Sequence, residues 1–201
     1  MKKLTFLFLA GISFATTNAQ QFQFGVKAGA NFANLNGDGV QDAKTLVSVN
    51  AGVYAKLPLT HSVSIQPELV YSGQGAKYDD GTATASQHIN YFNIPVLLKY
   101  QNFTGFFIET GPQIGFLLSA NIKESGVSID DKSGLNSTDF SWVFGVGYKI
   151  PTTHLSIDAR YNLGISNIYN SDQNSGSNNN TVHNGIFQFG LMYTLFTAGR
   201  K

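Results

Sequence analysis

Apolar and polar positions alternate along the stretch QFQFGVKAGANFANL, residues 21–35. From Phe22 to Phe32 the even positions hold Phe, Phe, Val, Ala, Ala and Phe. The odd positions between them hold Gln, Gly, Lys, Gly and Asn. A period of two marks a β-strand with two unlike faces. The pattern returns seven times. LVSVNAGVYAKL places Val47, Val49, Ala51, Val53, Ala55 and Leu57 on one face, and VSIQPELVYSG places Val63, Ile65, Pro67, Leu69 and Tyr71. HINYFNIPVLLKY gives Phe92, Ile94, Val96, Leu98 and Tyr100, and GFFIETGPQIGFLLSA gives Phe106, Ile108, Ile114, Phe116 and Leu118. DFSWVFGVGYKI contributes Phe140, Trp142, Phe144, Val146, Tyr148 and Ile150. LSIDARYNLGI contributes Leu155, Ile157, Ala159, Tyr161, Leu163 and Ile165, and GIFQFGLMYTLF contributes Phe187, Phe189, Leu191, Tyr193 and Leu195. No credible long helix interrupts them.

The connections alternate in length. PLTH, QNFT and PTTH are short. NLNGDGVQDAKT, QGAKYDDGTATAS, NIKESGVSIDDKSGLNST and NSDQNSGSNNNTVH are long and rich in Asn, Gly, Ser and Asp. Eight long strands, with short turns at one rim and long loops at the other, predict an all-β fold. It is an eight-stranded antiparallel up-and-down transmembrane β-barrel with both chain ends on the short-turn side. KLPLTHSVSI from Lys56 and KIPTTHLSI from Lys149 share Lys, an aliphatic residue, Pro, Thr and His. They read as equivalent hairpin tips.

Charge decides which face is wet. The apolar parity of all eight runs carries no Lys, Arg, Asp or Glu. The other parity carries Lys27, Lys56, Glu68, Lys99, Glu109, Lys149, Asp158 and Arg160 among Gly, Ser, Asn and Gln. A lipid-facing Lys or Arg near mid-bilayer costs about 2–4 kcal/mol, a penalty that keeps such a face free of charge. A soluble ligand-binding barrel would instead crowd its outer face with Lys and Glu. The polar parity here holds small residues, Gly25, Gly52, Gly111 and Gly145 among them, which suits the inside of a narrow barrel. Aromatic residues sort by depth: Tyr100, Phe106, Tyr148 and Tyr193 toward the short turns, and Phe32, Tyr71, Phe116, Phe140, Trp142, Phe187 and Phe189 toward the long loops. Two such girdles match two membrane interfaces. Pro67, Pro95 and Pro112 fall inside strands, where a missing donor predicts a bulge or local break at one or more of them.

Composition sharpens the assignment. Only 12% of the 201 residues are charged, and 13% are aromatic. Charged residues usually make up about a quarter of a soluble domain. The net charge of +1 gives no pull toward nucleic acid. The absence of Cys excludes disulfides and thiolate metal sites. MKKLTFLFLAGISFATTNA, residues 1–19, reads as a secretory signal peptide, two lysines followed by an apolar run and small residues. Residues 20–201 then form the barrel domain.

Lys27, Glu68, Glu109, Asp158 and Arg160 sit on the inward parity a few residues above the short turns, so they are expected to meet as a lumen charge network. Small barrels are filled by side chains, and buried charges require partners. Lys56, Lys99 and Lys149 are placed at the rim, facing solvent or headgroups. His61, His88, His154 and His183 fall at turns or strand ends. His88 with Ser86 is the local candidate for catalysis, without an evident third member. The acidic residues of NGDGVQD and YDDG offer oxygen ligands for Ca²⁺, but they lack EF-hand spacing and read as solvated loop. No glycine-rich loop leads into a helix. NSDQNSGSNNN reads as low-complexity and disordered. No catalytic, cofactor or metal site is expected.

FNIPVLLKY (92–100), ETGPQIGFLLS (109–119), GVGYKI with LSIDARYNLGISNI (145–168) and the closing FQFGLMYTLF resemble the outer-membrane β-barrel domain family of Bacteroidota, whose members are often labelled PorT-like or porin-family proteins. The resemblance covers essentially the whole mature chain. It implies an eight-stranded barrel inserted in the outer membrane, with outer-membrane lipid and the barrel-assembly machinery as partners. Gly190, Tyr193 and Leu195 approximate the insertion signal, although TAGRK follows Phe196. Three roles are compatible: a non-enzymatic barrel whose surface loops meet an unknown partner or support envelope integrity, a PorT-like secretion or small-solute transport component, and a lipid-modifying enzyme.

Overall fold

The computed structural model describes residues 21–37, 43–79, 84–124, 127–130, 132–168 and 182–198. Residues 1–19, read as a signal peptide, NSDQNSGSNNN, and Asp38, Asp42 and Asp80 of the candidate Ca²⁺ loops lie outside the described residues. The alternating runs become β1 (Phe22–Gly37), β2 (Ala43–Pro58), β3 (Val63–Asp79), β4 (Thr84–Gln101), β5 (Phe106–Glu124), β7 (Thr138–Lys149), β8 (Leu155–Gly164) and β9 (Val182–Ala198). A short β6 (Val127–Asp130) folds back on the end of β5, and one 3-10 turn (Lys132–Gly134) follows it. Every long strand pairs antiparallel with two neighbours. The β1–β9 and β4–β5 ladders close the ring. Closure leaves no edge in the wall to seek a foreign strand.

The three short turns are held by their own side chains. Thr60 Oγ1 accepts from the Ser62 and Val63 amides at 3.3 and 3.0 Å. Asn102 Oδ1 accepts from the Thr104 and Phe106 amides at 3.0 and 3.1 Å, beside Gly105 at φ 99°. Thr153 Oγ1 accepts from the Leu155 amide at 3.1 Å. These local bonds fix the hairpin registers, and the registers fix which side chains meet inside.

The faces fall as the alternation predicts. In β1, Phe24, Val26 and Phe32 are exposed while Lys27 and Asn31 are buried. In β7, Phe140, Trp142, Phe144, Val146 and Tyr148 point outward. The Trp142 indole Nε1 donates to Thr110 Oγ1 at 2.8 Å, and Thr110 Oγ1 donates to the Val143 carbonyl at 2.9 Å. A polar group facing hydrocarbon is thus satisfied on the wall itself.

One expectation is corrected. The segments read as long loops are in good part wall: β1 runs to Gly37, β3 to Asp79 and β5 to Glu124, while β2 begins at Ala43 and β4 at Thr84. Paired backbone persists past the lipid-facing band because inward Leu35, Ala76 and Ile89 give the extension its own apolar interior. The expected local break is found at the prolines, which interrupt the ladder without shifting it. Pairing skips from Pro67↔Val96 to Val70↔Asn93, and from Pro95↔Gln113 to Leu98↔Thr110, with the register unchanged on both sides. The register shifts lie elsewhere, at Phe24/Gly25, Thr45/Asn50 and Asn90/Tyr91.

Candidate functional site: the charged lumen

Five strands bring six charges to one place inside the barrel. Lys27 comes from β1, Glu68 from β3, Lys99 from β4, Glu109 from β5, and Asp158 and Arg160 from β8. None is more than 6% exposed. The Arg160 guanidinium is the hub. Its Nη1 and Nη2 donate to Glu68 Oε2 and Oε1 at 2.9 and 2.8 Å, a two-pronged grip. Its Nε reaches Glu109 Oε1 at 2.6 Å and Asp158 Oδ2 at 2.8 Å. Lys27 Nζ lies 3.3 Å from Glu68 Oε2 and 3.6 Å from Asp158 Oδ2. Lys99 Nζ lies 3.3 Å from Glu109 Oε2 and 3.4 Å from the centroid of the Phe107 ring. Gln66 ties the two ends together, donating to Glu68 Oε1 at 2.7 Å and accepting from Lys99 at 3.3 Å.

The five residues expected to meet do so, and a sixth joins them. Lys99 is not at the rim; it is 3% exposed. Its place follows from the hairpin register, which sets Lys99 directly opposite Glu109, an opposite-charge pair of the kind that stabilises antiparallel strands. Counting back from the QNFT turn would have found it. Lys56 and Lys149 remain at the short-turn end and are only partly buried. Three cations and three carboxylates give the network no net charge.

Gly145 makes the meeting possible. It sits between Glu109 and Arg160 in one cross-strand row. A Cβ there would fall 2.9 Å from Glu109 Cγ and 3.0 Å from Arg160 Cγ. The missing side chain is the space in which the two charged stems bend together.

The lumen is filled on both sides of the network. Toward the long-loop end, Asn50 Nδ2 donates to Asn31 Oδ1 at 2.6 Å, and Asn31 Nδ2 donates to Ser72 Oγ at 2.9 Å. Farther out, Leu35, Ile89, Tyr91, Leu117, Leu135 and Ile168 form an apolar cluster. Toward the short turns, Tyr54, Phe107 and Met192 pack together, and the Tyr54 hydroxyl lies 2.9 Å from Thr194 Oγ1. The apolar cluster was not foreseen. Leu35, Ile89, Tyr91 and Leu117 share the inward parity with polar residues, and the sequence separates them only by depth.

The histidines assemble no catalytic unit among the described residues. Ser86 and His88 are half-buried on the outward parity of β4, with Lys123 opposite Ser86 and Asn121 opposite His88. Asp139, Ser166 and His183 come together at the long-loop end. There the Ser166 hydroxyl donates to Asp139 Oδ1 at 2.7 Å, while His183 Nδ1 faces the Ser166 carbonyl at 2.9 Å. A hydroxyl committed to the carboxylate is not positioned to lose its proton to the imidazole. His61 is exposed at its turn, and the His154 ring lies 5.9 Å from that of Tyr193.

A closed antiparallel wall, apolar toward lipid and neutralised within, defines a small integral β-barrel of the bacterial outer membrane. The profile of the outer membrane protein beta-barrel domain family matches residues 18–170, and the chain belongs to that family. Solved structures share the fold. Neisserial surface protein A is 13% identical, with a TM-score of 0.55 over 88% of this chain and 99% of its own. Ail, the attachment invasion locus protein of Yersinia pestis, is 12% identical, with a TM-score of 0.50 over 88% of this chain and 100% of its own. No curated protein sequence matches significantly.

Proposed function

We propose that this protein is a non-conducting, non-enzymatic scaffold of the outer membrane. Its wall carries the outward extensions of β1–β6 and their connections to a partner at the cell surface or lends stiffness to the envelope. The observation that carries this reading is the lumen: six buried charges, mutually neutralised, lie beneath an apolar cluster on the same axis. An ion crossing this path would have to displace paired charges and then cross an apolar layer, each costing on the order of several kcal/mol. The hydroxyl of Ser166, turned away from His183, argues against a hydrolytic role. The PorT-like segments support membership of a Bacteroidota envelope system, in which a closed barrel would act by contact.

Single-channel recording on the refolded protein in a planar bilayer tests the proposal. The expected result is an electrically silent membrane. Steady conductance that disappears when Arg160 or Glu109 is replaced would overturn it and establish transport through the lumen.

A further inference from the structure

The repeated turn tips KLPLTH and KIPTTH each begin with a lysine that the lumen network does not use. The chain has 12 Asp and Glu. Three belong to the network, and the other nine (12 minus 3) fall in the long connections or at the strand ends beside them. The short-turn mouth therefore carries cations without acidic counterparts in its own sequence. Lys56 and Lys149 stand at matching positions of the two tips, both at the short-turn end of the barrel. Cations gathered at one end without acidic counterparts attract an anion.

A cavity of about 620 Å³ opens at this mouth, with Lys56, Gln23, Gln101, His61 and Ser64 among its lining residues. Lys56 Nζ donates to Gln101 Oε1 at 2.7 Å, which leaves two of the three ammonium hydrogens for a ligand. Ser64 is 2% exposed, and its hydroxyl has no hydrogen-bond partner among the described residues. An orphaned buried hydroxyl costs free energy until something accepts its proton.

We propose that this mouth is an oxyanion site. It takes the carboxylate or phosphate of a hydrophilic ligand arriving from the periplasmic side, the side of the short turns in such barrels. Lys56 supplies the charge-assisted bond and Ser64 the second donor. Gln23 and Gln101 hold the amide or hydroxyl groups beside the anion. Lys149, at the short-turn end of β7 and outside the cavity lining, adds its charge to the same end of the barrel. The oxyanion has two possible sources, a soluble ligand or the headgroup of an inner-leaflet lipid.

The test uses the full barrel, with amide and lysine side-chain NMR. Inorganic pyrophosphate and N-acetyl-alanyl-alanine are the soluble probes, titrated in nanodiscs of phosphatidylcholine. A second series compares phosphatidylglycerol with phosphatidylcholine discs without added anion. A saturable shift at Lys56, Ser64 and Gln101 is expected. If it follows the soluble probes, the ligand is soluble; if it appears with phosphatidylglycerol alone, the ligand is lipid. Lys56→Gln keeps the hydrogen bond but not the charge and should weaken binding about tenfold or more. Ser64→Ala should weaken it less, and Lys132→Gln at the opposite end should leave it unchanged. Heat-modifiable migration checks that each variant is folded. The absence of any saturable shift in the wild-type protein, or equal binding by wild type and the Lys56→Gln/Lys149→Gln variant, would overturn the proposal.

Discussion

Replacing Arg160 with Gln removes a cation that touches three carboxylates. The guanidinium makes two bonds to Glu68, at 2.8 and 2.9 Å, and further contacts to Glu109 at 2.6 Å and Asp158 at 2.8 Å. The network then holds two cations against three carboxylates, a net charge of −1 in a site where no member exceeds 6% exposure. Breaking a buried ion pair by removing one partner costs about 3–5 kcal/mol, because a charge is left uncompensated. A second change isolates that cause. Adding Glu68→Gln restores two cations against two carboxylates, so the double variant should recover a substantial part of the loss despite carrying one more substitution. Arg160→Lys should fall between, keeping the charge but losing the planar grip on Glu68. Urea unfolding in lipid vesicles, followed by tryptophan fluorescence from Trp142, reads all four proteins. If Arg160→Gln were as stable as wild type, or the double variant less stable than Arg160→Gln alone, charge balance would not be what the lumen residues provide.

Two further outcomes follow from the faces of the wall. Val146→Lys, placed on the lipid side of β7 where Val146 is 47% exposed, should cost about 2–4 kcal/mol in the same assay. Ile129→Lys on β6, equally outward but on the extension, should change stability little; equal costs would mean that the apolar band does not end where the extension begins. Gly145→Val should cost about 1–3 kcal/mol through overpacking between Glu109 and Arg160, and an unchanged unfolding midpoint would show that the two stems have other room.

Facing was legible because alternation is a local property. Phe24 and Lys27 needed only their neighbours to be assigned, and the register shift at Phe24/Gly25 leaves the alternation of β1 intact. Depth was less legible. Lys99 has the right parity, yet its neighbours say nothing of Glu109; only the turn that sets one opposite the other does. The outer limits of the strands were hidden for a related reason. Asn, Gly and Asp suggest loop wherever backbone meets water, whereas Leu35, Ile89 and Leu117 show their common purpose only once the wall brings them together. Leu135 and Ile168 join that cluster from segments outside the long strands, where no periodicity marks them.

The order in which the six lumen charges are written along the chain bears on how the barrel enters lipid. Reading from the N-terminus they are Lys27, Glu68, Lys99, Glu109, Asp158 and Arg160. The running total is +1, 0, +1, 0, −1 and 0, and reading backward it also never exceeds one unit. Counted over these six residues, a sheet assembled strand by strand from either end therefore carries at most one unit of net lumen charge at every stage. The sequence spreads the electrostatic cost of insertion over successive hairpins instead of deferring it to the moment of closure.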